Sequence, residues 1–182
     1  AANVPSGATV SQSGLLTLNV TSLNNASGTK TNVDTATVSN QSVVIVRKKF
    51  SQTTVANGDV VTVRLDYQNL GSIATGSVTL TDVLDPSLVY QLNSGENWNG
   101  TTVNPSTGSN DPVGINYSVT SNTVTAVLSS IAANSVGYIE FKVGVNRTLA
   151  GKINNTVNFQ YDHDNNTATA TIADVSNIAV LN

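Results

Sequence analysis

Apolar and polar residues alternate at period two along most of this chain. From residue 58 to residue 90 it reads GDVVTVRLDYQNLGSIATGSVTLTDVLDPSLVY. Val61, Val63, Leu65 and Tyr67 fall on one face of a strand. Val78, Leu80, Asp82 and Leu84 fall on one face of the next, because strand side chains point alternately to opposite sides. Apolar spacing at i, i+3, i+4 and i+7 is not sustained anywhere, so helix is not expected. Strands are predicted over 15–23, 33–38, 42–49, 59–68, 77–84, 88–92, 114–119, 123–128, 137–145, 152–161, 168–172 and 178–181. Clusters of Asn, Gly, Ser and Pro separate them. Asn57-Gly58 is a strong turn signal, since both residues tolerate positive φ. The polar stretch 93–112 reads as a long loop. Many short strands at this spacing predict two packed antiparallel sheets.

The aspartate in this pattern is the first sign of chemistry. Asp82 shares its face with core residues, and an unpaired buried acid is costly, so it needs a partner. Lys48 lies in register with Val44 and Val46. Asn155 lies between Ile153 and Val157, in line with Phe159.

Composition narrows the class. Of 182 residues 39% are hydrophobic and only 10% charged, with a net charge of −3. No basic cluster exceeds Arg47-Lys48-Lys49, so nucleic acid and anionic membranes lack an electrostatic footprint. The chain has no Cys and no Met. Disulfides and thiolate metal sites are therefore excluded, and an oxidising extracellular setting fits. No apolar run approaches the roughly 18 residues of a membrane helix. Ala1-Ala2-Asn3 has the small residues a signal peptidase leaves behind, although an arbitrary cut would look the same.

The segments VVIVRKKFSQTTVANGDVVTVRLDYQNLGS, TLTDVLDPSLVY, IAANSVGYIEFKVGV and GKINNTV together resemble the domain-of-unknown-function-11 repeat. That repeat is an immunoglobulin-like module of bacterial and archaeal surface proteins. The resemblance covers 43–172 and departs where Asp85 precedes Pro86, since the repeat often runs Leu directly into Pro. It implies an all-β, immunoglobulin-like antiparallel β-sandwich, here with additional N- and C-terminal strands. It also implies a spacer, stalk or wall component. Residues 1–40 then form an N-terminal extension, and 41–182 the sandwich domain.

Lys48, Asp82 and Asn155 all fall at positions that the repeat's pattern marks. A buried Lys, acid and Asn are the ingredients of a spontaneous isopeptide crosslink, as in some Gram-positive pilin and adhesin domains. Burial lowers the lysine pKa, so a neutral amine can attack. It raises the acid's pKa, so a protonated carboxyl can polarise the amide and relay protons. The competing reading is a surface lysine lying along the sheet, with Asp82 and Asn155 bonded to nearby backbone.

Other candidates are weaker. Asp162-His163-Asp164 offers Asp162 and Asp164 to calcium, against a solvated turn before Asn165-Asn166. A lone His in a turn argues against a hydrolytic triad, so an enzyme is not expected. Trp98, beside Glu96 and Asn97, could stack on a sugar or plug the end of the sandwich. Eight Asn-x-Ser/Thr sequons begin at Asn19, Asn25, Asn40, Asn99, Asn116, Asn146, Asn154 and Asn165. About six would arise by chance in so Asn-, Ser- and Thr-rich a chain.

Strand 15–23 puts Leu16, Leu18 and Val20 on one face and Thr17, Asn19 and Thr21 on the other. It could complete its own sheet or insert into a neighbouring copy. The expectation is a secreted, cell-surface structural subunit of a pilus-like filament or surface layer, assembling head to tail with copies of itself. The alternative is a glycan- or cell-binding adhesin module. No cofactor is expected unless calcium binds.

Overall fold

The computed structural model describes residues 8–9, 12–22, 25–38, 40–105 and 111–182. Among these there are strands and turns but no helix. Ala1-Ala2-Asn3, Leu23 and 106–110 of the long loop lie outside them. The chain divides into two compact units, Ala1–Asn40 and Gln41–Asn182.

The first unit is a hairpin of β1 (Ser13–Ser22) and β2 (Asn25–Thr37). Leu16, Leu18 and Val20 lie opposite Asp34, Asn32 and Lys30, and all three apolar side chains are exposed. The other face carries polar bonds. Thr31 Oγ1 donates to Asn19 Oδ1 at 2.7 Å, and Thr21 and Thr29 hydroxyls meet at 3.1 Å. Strand β1 therefore pairs with its own successor, which begins well before the predicted residue 33.

The second unit is the sandwich. Its strands are β3 (Val44–Phe50), β4 (Val60–Asn69), β5 (Val78–Val83), β6 (Leu88–Tyr90), β7 (Asn97–Trp98) and β8 (Thr101–Thr102). They continue as β9 (Ile115–Thr120), β10 (Thr123–Leu128), β11 (Val136–Val145), β12 (Ile153–Asn155), β13 (Asn158–Tyr161), β14 (Ile172–Val175) and β15 (Ala179–Leu181). One sheet runs β14-β13-β5-β10-β9. The other runs β3-β4-β11-β7-β8, with β6 also on β11, and β12 pairs separately with β15. Every pairing is antiparallel. The inward faces follow the period-two pattern, and Val44, Val46, Val61, Val63, Leu65, Tyr67, Val78, Leu80 and Leu84 are all buried.

Three elements differ from the pattern. The predicted strand 152–161 is two strands, because β12 pairs with β15 while β13 pairs with β5 and β14. Alternation continues across the break, so periodicity cannot see the change of partner. The predicted strand 168–172 lies further on, at β14, all four of whose residues are exposed. The loop over 93–112 contains the short hairpin β7-β8, docked on β11 at Trp98↔Ile139.

Candidate functional site

Lys48, Asp82 and Asn155 converge in the interior. Lys48 comes from edge strand β3 of one sheet and Asp82 from β5 of the other. Asn155 ends β12 beside them. Their exposures are 2%, 0% and 5%. Each is inward for the reason its apolar neighbours are: it keeps their parity along the strand.

The three polar heads form a closed ring. Lys48 Nζ contacts Asp82 Oδ2 and donates to Asn155 Oδ1 at 2.7 Å. Asn155 Nδ2 donates to Asp82 Oδ1 at 3.1 Å and to the Val83 carbonyl at 2.9 Å. The two oxygens of Asp82 thus touch the amine on one side and the amide nitrogen on the other. The ring of Phe50 lies 5.9 Å from Nζ.

Burial dominates the electrostatics. Desolvation lowers the Lys48 pKa against the opposing pull of Asp82. Desolvation raises the Asp82 pKa, while the Lys48 charge and the bonds from Lys48 and Asn155 resist. Both shifts favour the neutral forms, because a dry interior penalises separated charge. An amine whose neutral form burial favours stands against an amide whose nitrogen touches a carboxyl. That arrangement can perform amide exchange.

A second buried polar cluster lies apart from this ring and escaped sequence reasoning. Glu96 is 2% exposed although it sits in the loop before β7. Its carboxylate accepts from the Tyr90 hydroxyl at 2.9 Å and from the Gly95 amide at 3.1 Å. The Tyr90 hydroxyl also meets that of Tyr117 at 3.1 Å. Burial raises both tyrosine pKa values, and Asp82 is among the charges that raise that of Tyr117. The alternation of β6 and β9 marks both tyrosines, but nothing in the loop marks Glu96 as inward.

The other candidates do not join the ring. Asp162 is buried, and its Oδ1 accepts the amides of Asp164 and Asn166 at 3.3 and 3.1 Å. Asp164 accepts the Asn166 amide at 3.1 Å and the Thr169 hydroxyl at 2.7 Å. This is the bonding of a turn. Among the described residues no group of three or more acidic or His side chains forms a metal cage. The Trp98 indole donates to the Tyr67 hydroxyl, and the half-buried ring packs on the core. Of the sequon asparagines, Asn19, Asn40, Asn99, Asn116, Asn146, Asn154 and Asn165 are exposed. The Asn99 side chain is engaged by Tyr67 and by the Tyr138 amide.

No family model matches the chain, and no curated protein does. Solved structures do. BcpA, the major pilin subunit of Bacillus cereus, is similar over 91% of this chain and 48% of its own, at TM-score 0.59 and 14% identity. The full-length major pilin SpaD of Corynebacterium diphtheriae matches 75% of this chain and 35% of its own, at TM-score 0.56 and 14% identity. A 35 kDa C-terminal fragment of the major pilin GBS80 of Streptococcus agalactiae matches over 76% and 56%, at TM-score 0.55 and 15% identity. The chain thus spans about half the length of BcpA, or less in the case of SpaD. At this identity the likeness is one of fold: an all-β, immunoglobulin-like sandwich. Among the described residues no helix is long and apolar enough to cross a membrane.

Proposed function

We propose that this chain is a structural subunit of an extracellular, pilus-like filament, tied internally by an amide between Lys48 and Asn155. The observation that carries the reading is the sealed Lys48–Asp82–Asn155 ring, in a fold shared with major pilins. In the reaction, neutral Lys48 Nζ attacks Asn155 Cγ while the protonated Asp82 carboxyl stands against the amide nitrogen, Nδ2. Asp82 takes the proton shed by Nζ and passes one to Nδ2. The Nζ–Cγ bond forms, the Cγ–Nδ2 bond breaks, ammonia leaves and Asp82 ends as it began. Positioning replaces an external catalyst, since all three groups are held together before reaction.

A chain without cysteine gains from such a bond the constraint that a disulfide would otherwise supply. Copies of the same chain are the partners in this reading. The apolar face Leu16, Leu18 and Val20 is offered to a neighbouring subunit, whose sheet edge would gain a strand. Head-to-tail addition does not close on itself and so makes a filament. The alternative is an adhesin module, in which the half-buried Trp98 ring, its N–H bonded to Tyr67, would supply the contact to a ligand.

Intact mass tests the chemistry. The wild type should weigh about 17 Da less than its sequence requires, for one ammonia lost. Lys48→Ala and Asn155→Ala should each show the full sequence mass, as should Asp82→Ala. A wild type at full mass overturns the crosslink. Negative-stain micrographs test the assembly: filaments support it, and a monodisperse monomer at all concentrations refutes it.

A further inference from the structure

We propose that Ser176 and Asn177 clamp the backbones of the two reacting segments, and that Asn177 is a positioning residue for the Lys48–Asn155 amide. The inference rests on the crosslink reading above. Strand β3 is the edge of its sheet, paired only with β4. The Lys48 backbone is nonetheless satisfied on its open side. Its amide donates to Asn177 Oδ1 at 2.9 Å, and its carbonyl accepts from Asn177 Nδ2 at 2.9 Å. A side-chain carboxamide has one acceptor and a donor pair, so it can bond a residue's N–H and C=O together, as a neighbouring strand does. Asn177 replaces a strand at the residue that carries the attacking amine.

The preceding residue does the same on the other side. The Ser176 amide donates to the Val157 carbonyl at 2.9 Å, and the Val157 amide donates to Ser176 Oγ at 2.9 Å. Val157 stands two residues after Asn155, in the gap between β12 and β13. Two residues on from Asn177, Ala179 pairs with Asn155 itself. One short segment therefore fixes the nucleophile's strand and brackets the electrophile. An edge strand with open N–H and C=O groups is otherwise free to shift. A misplacement of about 1 Å costs such a reaction up to roughly a hundredfold. Asn177 is itself exposed, so removing it takes little from the core.

The test follows crosslinking in newly made protein, synthesised cell-free, quenched in acid at intervals and read by intact mass. Circular dichroism of each product verifies folding. Asn177→Ala should lose its ammonia roughly tenfold or more slowly than wild type while giving the same β spectrum. Asn177→Asp keeps the acceptor and loses the donor, so its rate should lie between the two. It is nearly isosteric and serves as the test if the alanine variant does not fold. Ser176→Thr keeps its hydroxyl and should react faster than Ser176→Ala. A folded Asn177→Ala, or in its place Asn177→Asp, that crosslinks at the wild-type rate overturns the clamp and leaves the crosslink standing. A wild type that never loses mass overturns both.

Discussion

At the scale of the residue, the buried Lys48–Asp82 pair is an electrostatic burden, whatever its part in the proposed crosslink. Its attraction must offset the loss of water around two fully buried groups. Removing one partner strands the other. Measured where no amide forms, in Asn155→Ala, the added change Lys48→Met should cost about 3–5 kcal/mol in urea unfolding. Replacing both charges, as Lys48→Met with Asp82→Leu, should recover most of that loss. If the double variant is as unstable as the single one, the cost lies in packing and not in the stranded carboxyl. The same logic explains why these positions carry no spare polarity. Lone pairs and protons of the ring are spent on each other, on the Val83 carbonyl and on the Thr156 carbonyl.

At the scale of the element, the turn after β4 shows how one side chain can organise several segments. Asn69 is fully buried. Its Oδ1 accepts the amides of Val43 and Gly71 at 3.1 and 2.9 Å. Its Nδ2 donates to the carbonyls of Ile73 and Ile131 at 2.8 and 3.1 Å. Gly71 is required there, since a Cβ would stand 2.3 Å from the Gln41 carbonyl oxygen, which is backbone and cannot swing away. Asn69→Ala leaves several of these groups unpaired, at about 1–3 kcal/mol for each that water cannot reach. A loss of at least about 2 kcal/mol in urea unfolding is expected. A smaller one would mean that water replaces the side chain. Further along, the switch of partner between β12 and β13 puts Asn155 at the seam. There the last segment can reach both it and Lys48.

At the scale of the molecule, an amide from Lys48 to Asn155 would close a loop of 107 residues. In the chain-entropy picture a closure of that length stabilises by about 4–5 kcal/mol, mostly by restricting the unfolded chain. Wild type should therefore exceed Asn155→Ala by up to that amount in urea unfolding. Equal stability in a protein shown by mass to be crosslinked would point to strain in the folded state. The hairpin and the sandwich are separate compact units. Deleting residues 1–40 should thus leave the circular dichroism and melting of the sandwich unchanged. If the hairpin mediates addition, the same deletion should abolish filaments. Filaments that persist after it would remove the hairpin from the assembly reading.

The alternation of side chains determined a good deal by itself. Parity along a strand is local, so Lys48, Asp82 and Asn155 could each be placed in register with apolar neighbours before any partner was known, while a surface lysine stayed the competing reading. The same rule located most of the sandwich strands, and Asn57-Gly58 marked a turn. What parity cannot carry is pairing. Which strands neighbour each other depends on contacts distant in sequence, so the division of 152–161 and the pairing of β1 with β2 came only with the tertiary structure. The burial of Glu96 was hidden because a two-residue strand has no period to read. Asn177 was hidden for a related reason. An asparagine between two short strands looks like any loop residue until the fold brings the Lys48 backbone within 2.9 Å of its carboxamide. The types of residue available for the chemistry were written along the chain, and their meeting was a decision of the fold.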